Sequence, residues 1–228
     1  MKKYLLILFG LSVFLSEIIL RINETVGFFL YCFLIAGCLI SLAKAEFLND
    51  YGKLIIVFMI LPIIRIVELF LVFDFFWKSF IIYYILFFLV VFYSINFKIN
   101  PGYTKKKLYF LPLVILISVC LGFIGNLFDF ERYVGIIFLI PLIAYSEEVL
   151  FRGLIQNFVK RNYGVLSSII FTALLYGIFS LSFGFSGVFV IFLISFVISL
   201  IYNFTRNIYL TITMNMIFHL FLFVLPKF

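Results

Sequence analysis

Ser186 to Asn203 reads SGVFVIFLISFVISLIYN, eighteen residues without a single charge. As a helix this run would rise about 27 Å at ~1.5 Å per residue, close to the ~30 Å hydrocarbon core of a bilayer. The same texture continues on both sides of it. Cut at its charged and Pro/Gly/Asn-rich breaks, the chain yields nine apolar runs, at about 4–20, 25–43, 54–73, 79–95, 108–126, 134–158, 165–183, 186–203 and 208–225. The breaks at 184–186 and 204–207 are short, so eight or nine spans fit. In lipid the backbone must satisfy its own polar groups, which helices do segment by segment. The predicted fold is therefore an all-α, polytopic transmembrane helical bundle.

Composition points the same way. Of 228 residues 66% are hydrophobic and 12% charged, and the mean hydropathy is +1.30. A soluble domain is about half apolar and a quarter charged, so this chain lacks the polar surface to cover such a core. The longest loop, near Asn96 to Lys107, leaves no room for a soluble domain. The expected organisation is one membrane domain, with variable N-terminal helices over 1–107 and a C-terminal helical core over 108–228 that carries the motifs below.

The net charge of +7 does not suggest a nucleic-acid partner. The basic run Lys105-Lys106-Lys107 lies between apolar stretches, where lysines mark a cytoplasmic loop, and no solvated basic face carries stacking aromatics. With nine spans and a cytoplasmic N-terminus, the inner loops hold eleven Lys and Arg and the outer loops four. That bias predicts a multi-pass cell-membrane protein with its N-terminus inside. Met1-Lys2-Lys3 and the following run show no small-residue cleavage site, and predict a retained first span. Cys32, Cys38 and Cys120 lie singly in apolar runs and are expected to be buried hydrophobes.

Charges at bilayer depth cost several kcal/mol unless paired or hydrated. Glu17, near the end of the first run, is within reach of the interface. Arg65 and Glu68, three apart, have the spacing of an intrahelical ion pair, and Pro62 just before them is expected to kink the helix. The sixth run holds Tyr145-Ser146-Glu147-Glu148-Val149-Leu150-Phe151-Arg152-Gly153. Adjacent helical residues point about 100° apart, so Glu147 and Glu148 cannot share a face, while Glu148 and Arg152 at i and i+4 can pair. This leaves Glu147 without an intrahelical partner, able to take a proton from an admitted water. Spacing alone equally allows the three to clamp helices or hydrate a transport pathway. In the last run Thr211, Asn215 and His219 recur every four residues as a polar stripe that must face protein or water.

The run Glu147-Glu148-x-x-x-Arg152, with Phe151 and Gly153 beside the arginine, resembles the first signature of the CAAX-protease and bacteriocin-processing (CPBP) family of glutamate-dependent intramembrane proteases. The resemblance covers roughly residues 134 to 225. In that family later helices carry Phe-x-x-x-His and then His-x-x-x-Asn or Asp. Here Tyr176-Gly177-Ile178-Phe179-Ser180 places serine where histidine is expected. His219 either matches the family's last histidine, leaving Phe223 at the Asn/Asp position, or forms a reversed pair with Asn215.

The resemblance implies an intramembrane endopeptidase that hydrolyses a peptide bond in a membrane-associated protein or peptide. Glu147 would be the general base, and His219 and Asn215 would stabilise the tetrahedral oxyanion. Glu148 and Arg152 would support them, and Ser180 would help hold the water in the histidine's place. The altered motifs leave open an inactive relative acting as a binding or immunity protein, and a small transporter is a further alternative. With one histidine and no His-Glu-x-x-His, no metal or other cofactor is expected. Glu147 falls nearer the cytoplasmic end of the expected sixth span, which favours substrates arriving from that side.

Overall fold

The structure is a computed structural model. It describes residues 4–44, 50–96, 102, 107–126, 134–180 and 184–223. Lys2, Lys3, Lys98, Lys105, Lys106, Arg132 and Lys227, which entered the charge count, lie outside the described residues.

The described residues are almost entirely helical, as the apolar runs require. The helices are α1 (Leu5–Ile22), α2 (Glu24–Lys44), α3 (Asp50–Phe70), α4 (Phe75–Asn96) and α5 (Leu111–Asn126), then α6 (Ile140–Glu148) and α7 (Asn157–Tyr163), then α8 (Val165–Phe179), α9 (Gly184–Thr205) and α10 (Ile208–Phe223). A π-helical segment, Val149–Gln156, joins α6 to α7 without a break, so among the described residues there are nine continuous rods. Glu24–Ala43, Phe76–Asn96 and Gly187–Thr205 are long and apolar enough to cross a membrane unaided. Leu108–Phe123, Val165–Phe179 and Ile208–Phe223 are apolar but shorter.

The sixth rod departs from its expected course in two ways. It starts at Ile140 rather than near 134, because Pro141 occupies the first turn, where its missing N–H costs nothing. Val134–Phe138 before it is a 3-10 helix. From Val149 the register widens to i→i+5, so a regular 100° spacing does not hold through Arg152. This rod ends at Gly164, whose φ of 90° lies in the left-handed region that glycine enters freely. Pro62 sits inside α3 without ending it.

Burial is inverted relative to a soluble protein. Phe33, Phe92, Leu166 and Phe204 are exposed, whereas Glu148, Arg152, Thr211, Ser195 and Asn215 are buried. A solvent that accepts phenylalanine and excludes charge is lipid, and the bundle is a membrane protein. One apolar core draws on α1, α3 and α4 as well as on α5 to α10.

A polar ladder fixes the sixth rod against α9. Arg152 Nη2 donates to Ser195 Oγ at 2.8 Å, Gln156 Nε2 to the Ser199 carbonyl at 3.0 Å, and Asn157 Nδ2 to the Tyr202 hydroxyl at 2.8 Å. Lys160 Nζ reaches Asn203 Oδ1 at 2.5 Å. The partners ascend together, so the two rods run parallel. The serines let the helices approach closely while accepting hydrogen bonds, as packing in lipid favours.

Candidate active site

Glu147 is the point on which four helices converge. Its Oε2 accepts from Tyr176 Oη of α8 at 2.5 Å and from Asn215 Nδ2 of α10 at 3.0 Å, and His219 Nε2 of α10 lies 3.0 Å away. Its Oε1 accepts from Tyr83 Oη of α4 at 2.8 Å, the one donor to that oxygen among the described residues. All four partners come from other helices, and the carboxylate has no partner on its own rod. Asn215 and His219 reach the same oxygen because residues one turn apart share a helical face. The His219 ring stacks on Phe223, 5.6 Å between centroids and 12° from parallel, which fixes its orientation.

Glu148 points elsewhere. Its Oε1 accepts from Arg152 Nη1 at 2.9 Å, and both side chains are fully buried. Arg152 also donates to the Ser195 carbonyl at 3.2 Å and lies over the Tyr176 ring, 5.0 Å from its centroid. The pair therefore braces the ring whose hydroxyl grips Glu147. Thr211, the first member of the α10 stripe, donates to the Ile208 carbonyl at 2.9 Å and sits against the Glu148 carboxylate.

A cavity of about 140 Å³ opens beside Glu147 and is lined by Tyr83, His219, Phe179, Ser180, Arg65 and Glu68 among others. It is polar on two sides and roomy enough for several waters. Of the residues named from sequence, Glu147, Asn215 and His219 meet at one carboxylate. Ser180 lines the same cavity, but its hydroxyl donates to the Tyr176 carbonyl at 3.0 Å rather than to Glu147. The tyrosine one turn earlier makes the contact instead.

Glu17 does not reach the interface. It is 3% exposed and accepts from Tyr31 Oη at 2.6 Å and Arg65 Nε at 2.5 Å. The partners on α2 and α3 offer a carboxylate inside the bundle what the interface would have offered outside. Arg65 also pairs with Glu68, as its spacing suggested, donates to the Phe179 carbonyl and covers the Phe179 ring at 4.2 Å. The cluster thus ties α1, α2 and α3 to the end of α8, at the wall of the cavity.

The depth of the site also differs from expectation. Glu147 lies seven residues from the start of the sixth rod and sixteen from its end. Tyr176 and His219 lie within about one turn of the ends of α8 and α10, and Arg65 is near the end of α3. The site therefore occupies the half of the bundle where α3, α8 and α10 end and where α4 and α6 begin. Under the N-inside orientation this half is the outer one, not the cytoplasmic one.

Sequence reasoning missed Tyr83 and Tyr176. Tyr176 opens the Tyr-x-x-x-Ser stretch, and a phenol at a position expected to hold phenylalanine was the available signal. Tyr83 carried none: it is one of two adjacent tyrosines in a run rich in aromatics.

The all-α membrane bundle gathers an imidazole, an amide and two phenols around one carboxylate beside a cavity. Residues 129–221 match the family model described as Type II CAAX prenyl endopeptidase Rce1-like. That stretch is about two fifths of the chain, and over it the chain is similar to this family of CAAX prenyl endopeptidases. It carries Glu147, Tyr176, Asn215 and His219, whereas α1 to α4, with Tyr83 and Arg65, lie outside it. No curated protein and no solved structure gives a significant match.

Proposed function

We propose that the chain is an intramembrane endopeptidase in which Glu147 activates a water against a peptide bond of a membrane-associated protein or peptide. The observation that carries this reading is the asymmetry of the Glu147 carboxylate. Oε2 is gripped by Tyr176, Asn215 and His219, while Oε1 has Tyr83 alone among the described residues, and Glu147 lines a cavity. A carboxylate oxygen has two lone-pair positions, so Oε1 retains one for a water.

That geometry supports the following reaction. The water O–H gives its proton to Glu147 Oε1 as its oxygen bonds to the carbonyl carbon, and the carbonyl π pair moves onto oxygen. Glu147 loses its charge at the moment the oxyanion gains one. His219 and Asn215, which held the carboxylate, then serve the new anion. On collapse the C–N bond breaks and the proton on Glu147 passes to the leaving nitrogen. The Glu148–Arg152 pair carries no proton in this scheme and acts as a brace.

The test compares protein termini in membrane fractions from cells carrying wild type and Glu147→Gln at matched expression. A defined set of termini should vanish in the variant, because an amide cannot accept the proton. Coincident profiles from a wild type that still has a phenotype would mean that the chain acts by binding.

A further inference from the structure

Tyr83 contacts the Glu147 carboxylate and lines the cavity, although it comes from a helix outside the matched stretch. Its hydroxyl is 2.8 Å from Glu147 Oε1, the oxygen with room for a water. It lines the cavity together with Glu147 and His219. Arg65 and Glu68 line the same cavity. We infer that Tyr83 is a catalytic residue, an oxyanion donor supplied by the N-terminal half of the chain. This rests on the hydrolytic reading above.

The chemistry favours a phenol at this place. While Glu147 is ionised, the Tyr83 O–H is held by Oε1 and aimed at the carboxylate. Once Oε1 takes the proton from water it is a poor acceptor, and the strongest acceptor within reach is the oxyanion just formed beside it. Rotation about the C–O bond of the phenol redirects the hydrogen with no other movement. The donor is thus weakly engaged by substrate and strongly engaged by the transition state, the condition under which an interaction raises turnover. Tyr176 binds the other oxygen, Oε2, together with Asn215 and His219. It is a positioning residue, held by the Arg152 guanidinium over its ring.

A second consequence concerns Ser180. Where the family resemblance asks for a histidine near the water, this chain has a hydroxyl committed to the Tyr176 carbonyl. Tyr83 supplies beside Glu147 a hydroxyl that Ser180 does not.

The experiment uses full-length protein in liposomes and a substrate defined by the termini that vanish in Glu147→Gln. Tyr83→Phe should lower kcat by about 10- to 100-fold with little change in KM, the pattern of a lost oxyanion donor. Tyr31→Phe, which removes a buried phenol hydroxyl from Glu17, is the structural control and should leave kcat within about twofold. A Tyr83→Phe enzyme with wild-type kcat would overturn the inference while leaving the hydrolytic reading intact. A fall in thermal stability that accounts for the lost turnover, or a rise in KM alone, would also overturn it. If Glu147→Gln alters no termini, the hydrolytic reading fails and takes this inference with it.

Discussion

Arg152 and Glu148 are a costly pair to separate. Both are fully buried, 2.9 Å apart, and Arg152 Nη2 is held by Ser195 as well. Removing one partner leaves a bare charge at zero exposure, which typically costs about 3–5 kcal/mol. Arg152→Met should therefore lower the unfolding midpoint in detergent sharply, and the double change with Glu148→Gln should recover much of the loss. Ser180→Ala should behave in the opposite way. Its hydroxyl bonds only within its own helix turn, so turnover should stay within about twofold, whereas Tyr176→Phe, which releases Oε2, should reduce it clearly. Steady-state rates on one substrate decide between the two.

At the scale of elements, the route to the site runs through helix contacts that substitution can open. α5 packs on α10, and a Cβ placed at Gly122 would come within 2.5 Å of the Phe221 ring base. Those atoms lie close to the α10 backbone and cannot swing away, so Gly122→Ala must push α10, with Asn215 and His219, off its seat. Overpacking of this kind costs about 1–3 kcal/mol. The expected result is a moderate loss of stability with a larger loss of turnover, read by thermal melting and kinetics on the same preparation. The helices themselves were legible because apolar runs and their breaks are local properties. So was the Glu148–Arg152 pair, which needs only i and i+4, and so was the Asn215–His219 stripe. The π segment was not, since its register is imposed by the parallel ladder on α9. Nor were Tyr83 and the true partner of Glu17, because each contact joins helices far apart in sequence and neither residue stands out in a chain with 14 tyrosines and buried charges elsewhere.

For the whole molecule, the question is which side of the membrane the site faces. Successive rods reverse direction, so the two ends of the bundle can be listed from their turns. At one end the chain turns after α2, α4, α7 and α9, and its cations include Lys107, Lys160, Arg161 and Arg206. Contacts hold that end together: Lys107 Nζ reaches the Phe204 carbonyl at 2.5 Å and Ile208 N–H donates to the Gly102 carbonyl at 3.1 Å. At the other end, where α1, α3 and α8 finish, the described cations are Arg21 and Lys78. Basic residues concentrate on the cytoplasmic side, so the end with fewer of them should be extracytoplasmic. That is the end nearer Glu147. The prediction is that substrates are met from the outer leaflet, which suits exported or surface-anchored peptides. It can be checked with single cysteines in a background lacking Cys32, Cys38 and Cys120. On intact cells a membrane-impermeant maleimide should label Glu24→Cys and spare Asn162→Cys until the cells are broken. The reverse pattern would turn the bundle over and put the same cavity within reach of cytoplasmic substrates, with the chemistry at Glu147 unchanged.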